Sequence, residues 1–181
     1  RDIGLLFAII SLVVLGTALF STLIHIKNSK IIWLFGTVIL FAGVYLSYSA
    51  DGVSFWNDSV VFNTTILGCS MILYMFFLSV AFAHFLKDTI RVGIIATTLL
   101  GAFNAVILVL PIVTDILFYD TWLYWVTAQI LVNFVLLGCF IREFFVTKGK
   151  VRWLYIGSIL PLISFDVDVI MTDLGLWKGG V

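Results

Sequence analysis

Six apolar blocks, each about as long as a bilayer's hydrocarbon core is thick, leave this chain few ways to fold. They run over roughly 3–24, 31–50, 60–86, 91–113, 122–143 and 152–174. A helix needs only ~20 residues to cross ~30 Å of hydrocarbon. The runs are continuous instead of alternating, which argues against strands, and in lipid a helix satisfies its own backbone groups. Short polar hinges separate the blocks: HIKNSK, ADGVSFWNDS, KDT, TDILFYD and VTKGK. The expected fold is an all-α membrane protein, a single domain over 1–181 built as a bundle of six transmembrane helices.

Only 11% of the residues are charged, against ~25% in soluble domains, so a conventional aqueous surface cannot be assembled. The net charge of zero hides a segregation by segment. Lys27, Lys30, Lys87, Arg91, Arg142, Lys148, Lys150 and Arg152 all fall at alternate loops or helix ends, and only Arg1 and Lys178 fall on the other side. The acids reverse the pattern. Asp88 and Glu143 join the basic side, while Asp2, Asp51, Asp58, Asp115, Asp120, Asp166, Asp168 and Asp173 lie at or toward the opposite one. Basic loops stay in the cytoplasm, so both ends of the chain are expected outside a cell membrane, the inner one in a bacterium. Tryptophans mark the interfaces, with Trp33 and Trp153 inside and Trp56, Trp122, Trp125 and Trp177 outside. Arg1-Asp2 runs straight into an apolar block with no start methionine and no signal peptide, the pattern of a piece cut from a longer protein.

The last block is the most directional: Lys148, Lys150, Arg152 and Trp153 precede it, and Asp166, Asp168, Asp173 and Trp177 close it. Pro111 and Pro161 are expected to bend their helices, and Pro161 is the candidate hinge. Gly93, Thr97 and Gly101 form a small-residue stripe suited to close helix contact. Cys69 and Cys139 lie in separate spans at different depths and read as unpaired core thiols. No internal repeat is visible, so an inverted-repeat transporter gains no support.

The loops are too short for a soluble catalytic domain. No phosphate-binding glycine loop, zinc spacing or nucleophile–base pair appears, so no enzyme activity and no cofactor are expected. Two histidines on separate helices, His25 and His84, are of the kind that ligates haem, but their places near inner helix ends fit ring snorkelling better. Asn57-Asp58-Ser59 and Asn63-Thr64-Thr65 match a glycosylation pattern that has meaning only in a eukaryotic secretory context. Nothing in the charge distribution calls for nucleic acid.

Polar side chains inside the spans carry the remaining information, because an intramembrane ionisable group is costly and faces the bundle. A rise of ~1.5 Å per residue puts Tyr45, Cys69, Asn104, Gln129 and Asp166 near one level in the outer half. One reading is a polar layer lining an outward-opening cavity; the other is a set of ordinary interhelical hydrogen bonds of ~1 kcal/mol or less each. Asp166 and Asp168, two residues apart, point about 200° away from each other. Either the helix loosens beyond Pro161, or protein covers it on two sides, or it ends early and leaves both acids among headgroups. A further helix after Gly179-Gly180 would supply the cover.

Three stretches carry a family resemblance: Arg1-Asp2-Ile3-Gly4 leading into a span, Phe82-Ala83-His84-Phe85-Leu86 closing the third helix, and Gly149-Lys150-Val151-Arg152-Trp153 opening a helix that closes on Thr172-Asp173-Leu174-Gly175-Leu176. With them the chain resembles the membrane region of the bacterial seven-transmembrane receptors with diverse intracellular signalling modules. The resemblance implies an extracytoplasmic ligand-binding domain before residue 1, and after residue 181 a seventh helix and a cytoplasmic output domain of cyclase, kinase or phosphatase type. It implies no catalytic residues within the membrane region. The expected function is a transmembrane sensor whose partners are the lipid bilayer, those attached domains and a second copy of the chain. The alternative is a transporter or channel subunit using Asp166 and Asp168, and a lipid or quinone enzyme comes last.

Overall fold

The computed structural model describes residues 2–23, 29–49, 60–114, 116, 118–149 and 152–173. Six α-helices follow in order: α1 (Asp2–Leu23), α2 (Ser29–Ser49), α3 (Val60–Phe85), α4 (Ile90–Val113), α5 (Phe118–Val146) and α6 (Arg152–Asp173). No strand occurs among the described residues. The expected spans match these bounds to within a residue or two, except that α5 extends further at both ends. Asp120 in its first turn suits the positive end of a helix dipole. At its far end, Thr147 N–H donates to the Glu143 carbonyl at 2.8 Å. Gly149, with φ +82°, then takes the left-handed conformation that lets the chain turn toward α6.

Three stretches, Thr65–Phe85, Ile90–Pro111 and Asp120–Val146, are long and apolar enough to cross a membrane, and shorter apolar stretches lie in α1 and α2. α6 is helical through position 161 to Asp173, so it does not end early. The Pro161 side chain, His25, Trp56 and Trp177 lie outside the described residues.

The chain divides into two compact units, Arg1–Ala81 and Phe82–Val181. In the first, α1 and α2 form a closely packed antiparallel pair. Trp33 Nε1 donates to Thr22 Oγ1 at 3.0 Å across it. Counting from that bond, Ala18 and Ser11 fall within a residue of Gly36 and Gly43, and all four are buried. Small residues seven apart on both helices let the backbones approach. A Cβ at Gly36 would lie 2.8 Å from Leu15 Cδ2. Further along α2, Phe41 stacks on Phe77 of α3 at 5.8 Å.

In the second unit the last turn of α3 packs against the start of α4. A Cβ at Gly93 would lie 2.7 Å from Leu86 Cδ1 and 3.1 Å from Ala83 Cβ. Thr97, next in that stripe, is buried and returns its hydroxyl to the Gly93 carbonyl at 2.9 Å. α5 and α6 meet through aromatic rings: Phe140 lies 6.1 Å from Tyr155 and Phe144 lies 6.0 Å from Trp153, with the Arg152 guanidinium 5.2 Å above the Trp153 ring. The unit is inside-out by aqueous standards. Leu99, Val109, Leu123, Leu131, Leu154 and Leu160 are exposed, while Asn104, Gln129, Asn133, Glu143 and Asp166 are buried. Such a surface suits an apolar solvent.

Candidate functional site

Hydroxyl side chains in this protein mostly satisfy themselves. Ser79, Thr97, Thr127, Ser158 and Ser164 each donate to the carbonyl four residues back, the usual solution for Ser and Thr in an apolar helix. A buried carboxamide or carboxylate instead needs a side-chain or loop partner, along its own helix or on another segment. That requirement assembles the site.

α5 supplies its spine. Thr121, Trp125, Gln129 and Asn133 recur every four residues and are all buried, the last three to 0% or nearly so. Gln129 Nε2 donates to Asn133 Oδ1 at 3.0 Å, an i,i+4 pair. Asn133 Nδ2 in turn donates to Asp166 Oδ1 on α6 at 2.7 Å, short as a charge-assisted bond should be. Each bond orients the next, so the file is polarised toward the Asp166 carboxylate.

A second carboxylate closes the other end of α5. Glu143 Oε1 accepts from the backbone N–H of Lys87 (3.1 Å), Asp88 (2.7 Å) and Thr89 (2.8 Å) and from Thr89 Oγ1 (2.9 Å). Thr89, at the N-cap of α4, makes no side-chain cap of its own. Three successive N–H groups converge on one oxygen, an anion nest at the positive end of a helix. Oε2 is buried with no partner among the described residues.

The Thr89–Glu143 bonds also set the α4–α5 register. Fifteen residues along α4 lies Asn104, and the same count back along α5 reaches 128, beside Gln129. Both side-chain atoms of Asn104, and Nε1 of Trp125, are buried without a partner among the described residues. Above them, at the end remote from Glu143, a cleft of about 490 Å³ opens between α4 and α5, with Phe103, Ile107, Leu110, Asp120, Thr121 and Tyr124 in its walls.

Of the expected layer, the structure joins Gln129 to Asp166 and sets Asn104 at the Gln129 level. Tyr45 and Cys69 belong to the first unit, where both are half-buried. The Asp168 side chain lies outside the described residues. Cys69 and Cys139 are both free thiols. Sequence reasoning missed Asn133, the link itself, because it took one polar residue per helix. The four-residue spacing from Gln129 was the signal that finds it. It also read Glu143 only as a charge among cations, and nothing local to α5 reveals the loop that Glu143 holds. Among the described residues, no group of three or more His, Cys, Asp or Glu comes together as a metal site would require.

No protein-family model, curated protein or solved structure matches this chain.

Proposed function

We propose that this chain is the membrane module of a sensor, which carries a signal from the extracytoplasmic side to an output domain of cyclase or kinase type in the cytoplasm. It is a bundle of six transmembrane helices with both ends outside, in the inner membrane of a bacterium. The observation that carries the reading is on α5. One unbroken helix is bonded to α6 through Asn133 and Asp166, and, ten residues away, to the 87–89 loop through Glu143. Lys87, Arg91, Arg142 and Lys148 surround the Glu143 end, which supports placing it in the cytoplasm. A helix anchored at two depths passes a shift at one anchor to the other, provided the stimulus binds one arrangement better. The resemblance of three sequence stretches to the seven-transmembrane receptors supports the same assignment.

Hydrogen–deuterium exchange in nanodiscs tests the relay. Asn133→Leu breaks the upper anchor, and a relay expects several-fold faster exchange of the Lys87, Asp88 and Thr89 amides. Unchanged exchange there defeats the reading. The second reading, a transporter or channel subunit, is favoured by the buried polar atoms of Asn104 and Trp125 that have no partner among the described residues. It expects ion flux in proteoliposomes that Asp166→Asn abolishes.

A further inference from the structure

The Asp166 file has the construction of a path. Successive polar side chains on α5 lie four residues, ~6 Å, apart along the axis, the span that one water bridges with two hydrogen bonds of ~2.8 Å. From the cleft inward the order is Thr121, Trp125, Gln129 and Asn133, ending on the carboxylate. Asn104, whose donor and acceptor have no partner among the described residues, and the Trp125 indole N–H lie between the cleft and the bonded amides along the axis. Buried polar atoms without protein partners are the positions at which internal water is held.

The path ends on the Asp166 carboxylate. α5 sets only the neutral amides of Gln129 and Asn133 toward it. Among the described side chains of α5 and α6, the other titratable or charged groups lie along the axis: Cys139 at ~9 Å from the Asn133 level, Tyr124 and Arg142 at ~14 Å, Glu143 at ~15 Å and Asp120 at ~20 Å; on α6, Tyr155 and Arg152 lie ~17 and ~21 Å from Asp166. His84, Lys87, Asp88, Arg91 and Lys148 lie with Glu143 at the far end. On α6 itself Asp168 and Asp173 lie near, with side chains outside the described residues.

We propose that Asp166 is a proton-binding site reached from the cleft between α4 and α5, and that the proton is the ligand of this module. Binding converts the carboxylate to a carboxylic acid with a proton drawn from bulk water. The file then reverses: the Asp166 O–H donates to Asn133 Oδ1, and Asn133 Nδ2 turns to donate to Gln129 Oε1. The same side chains thus have two hydrogen-bonded arrangements, selected by one proton. The proposal rests on the sensor reading for the proton's role as ligand and for the side from which it arrives; the site itself does not.

The test is infrared spectroscopy of the whole chain in nanodiscs. As pH falls, the carbonyl stretch of a protonated carboxylic acid appears. It shifts with ¹³C-labelled aspartate, is lost in Asp166→Asn, and moves to higher frequency in Asn133→Leu, which removes the amide bonded to it. No such band, or one that survives in Asp166→Asn, overturns the site. In sealed vesicles with oriented protein, a pH step on the cleft side drives the band, and Asn104→Leu with Trp125→Phe slows its appearance several-fold without changing its final size. No slowing overturns the path. A band that follows the pH of the proposed exterior supports the threading, and one that follows only the proposed cytoplasmic pH overturns the threading while the site stands.

Discussion

At the scale of single residues, the polar side chains of the second unit differ in what each leaves behind when removed. Glu143 satisfies four donors from one oxygen. Glu143→Ala strands them at a turn of which only Thr89 is buried, at a cost of about 2 kcal/mol, with Glu143→Gln costing roughly half as much because the amide oxygen still accepts. Thermal unfolding in detergent checks the ordering. Asn133 and Asn104 give a second contrast. Asn133→Leu deprives the buried Asp166 of its amide donor and is expected to cost about 1–3 kcal/mol. Asn104→Leu removes an amide with no partner among the described residues and is expected to change stability by under ~1 kcal/mol. Equal losses in the two variants would refute the distinction drawn between them.

At the scale of helices, glycines separate contact faces from open ones. Gly→Ala in a helix interior gains ~1 kcal/mol in propensity wherever the new methyl finds room. Gly138 and Gly157 have nothing within 4 Å of a Cβ, so Gly138→Ala raises the melting temperature. Gly93 meets both the Leu86 side chain and the Ala83 side chain and backbone. There overpacking of about 1–3 kcal/mol exceeds the propensity gain, and Gly93→Ala lowers the melting temperature. Gly36 is intermediate, because its nearest neighbour is the end of the flexible Leu15 side chain. A melting series of these three variants checks the order. The stripe over 93–101 was legible as small residues at regular spacing. Its partner was not, since the end of α3 reaches it through a turn whose geometry is held from α5.

At the scale of the whole molecule, the charge pattern predicts which loops meet which compartment. A cysteine replacing Lys148, in a chain with Cys69 and Cys139 changed to serine, is expected to resist a membrane-impermeant maleimide in intact cells. One replacing Thr114 is expected to react. The reverse result inverts the threading and with it the side from which Asp166 is reached. The chain divides into two compact units at Ala81, a division that hydropathy does not display, because α3 reads as one uniform apolar helix across it.

Among the described residues, the six helices and, except in α5, their bounds followed from the sequence alone, because apolar length and polar hinges are local properties. Axial rise depends only on counting, yet the Asp166 carboxylate bonds to Asn133, one turn beyond Gln129. What only the tertiary structure decided is which side chains meet. Azimuth and register between helices come from packing, and in helices apolar all round no stripe announces the buried face. Hence Asn133 as the bridge to Asp166, and Glu143 as the cap of a loop more than fifty residues earlier, emerged only once α4, α5 and α6 were set side by side.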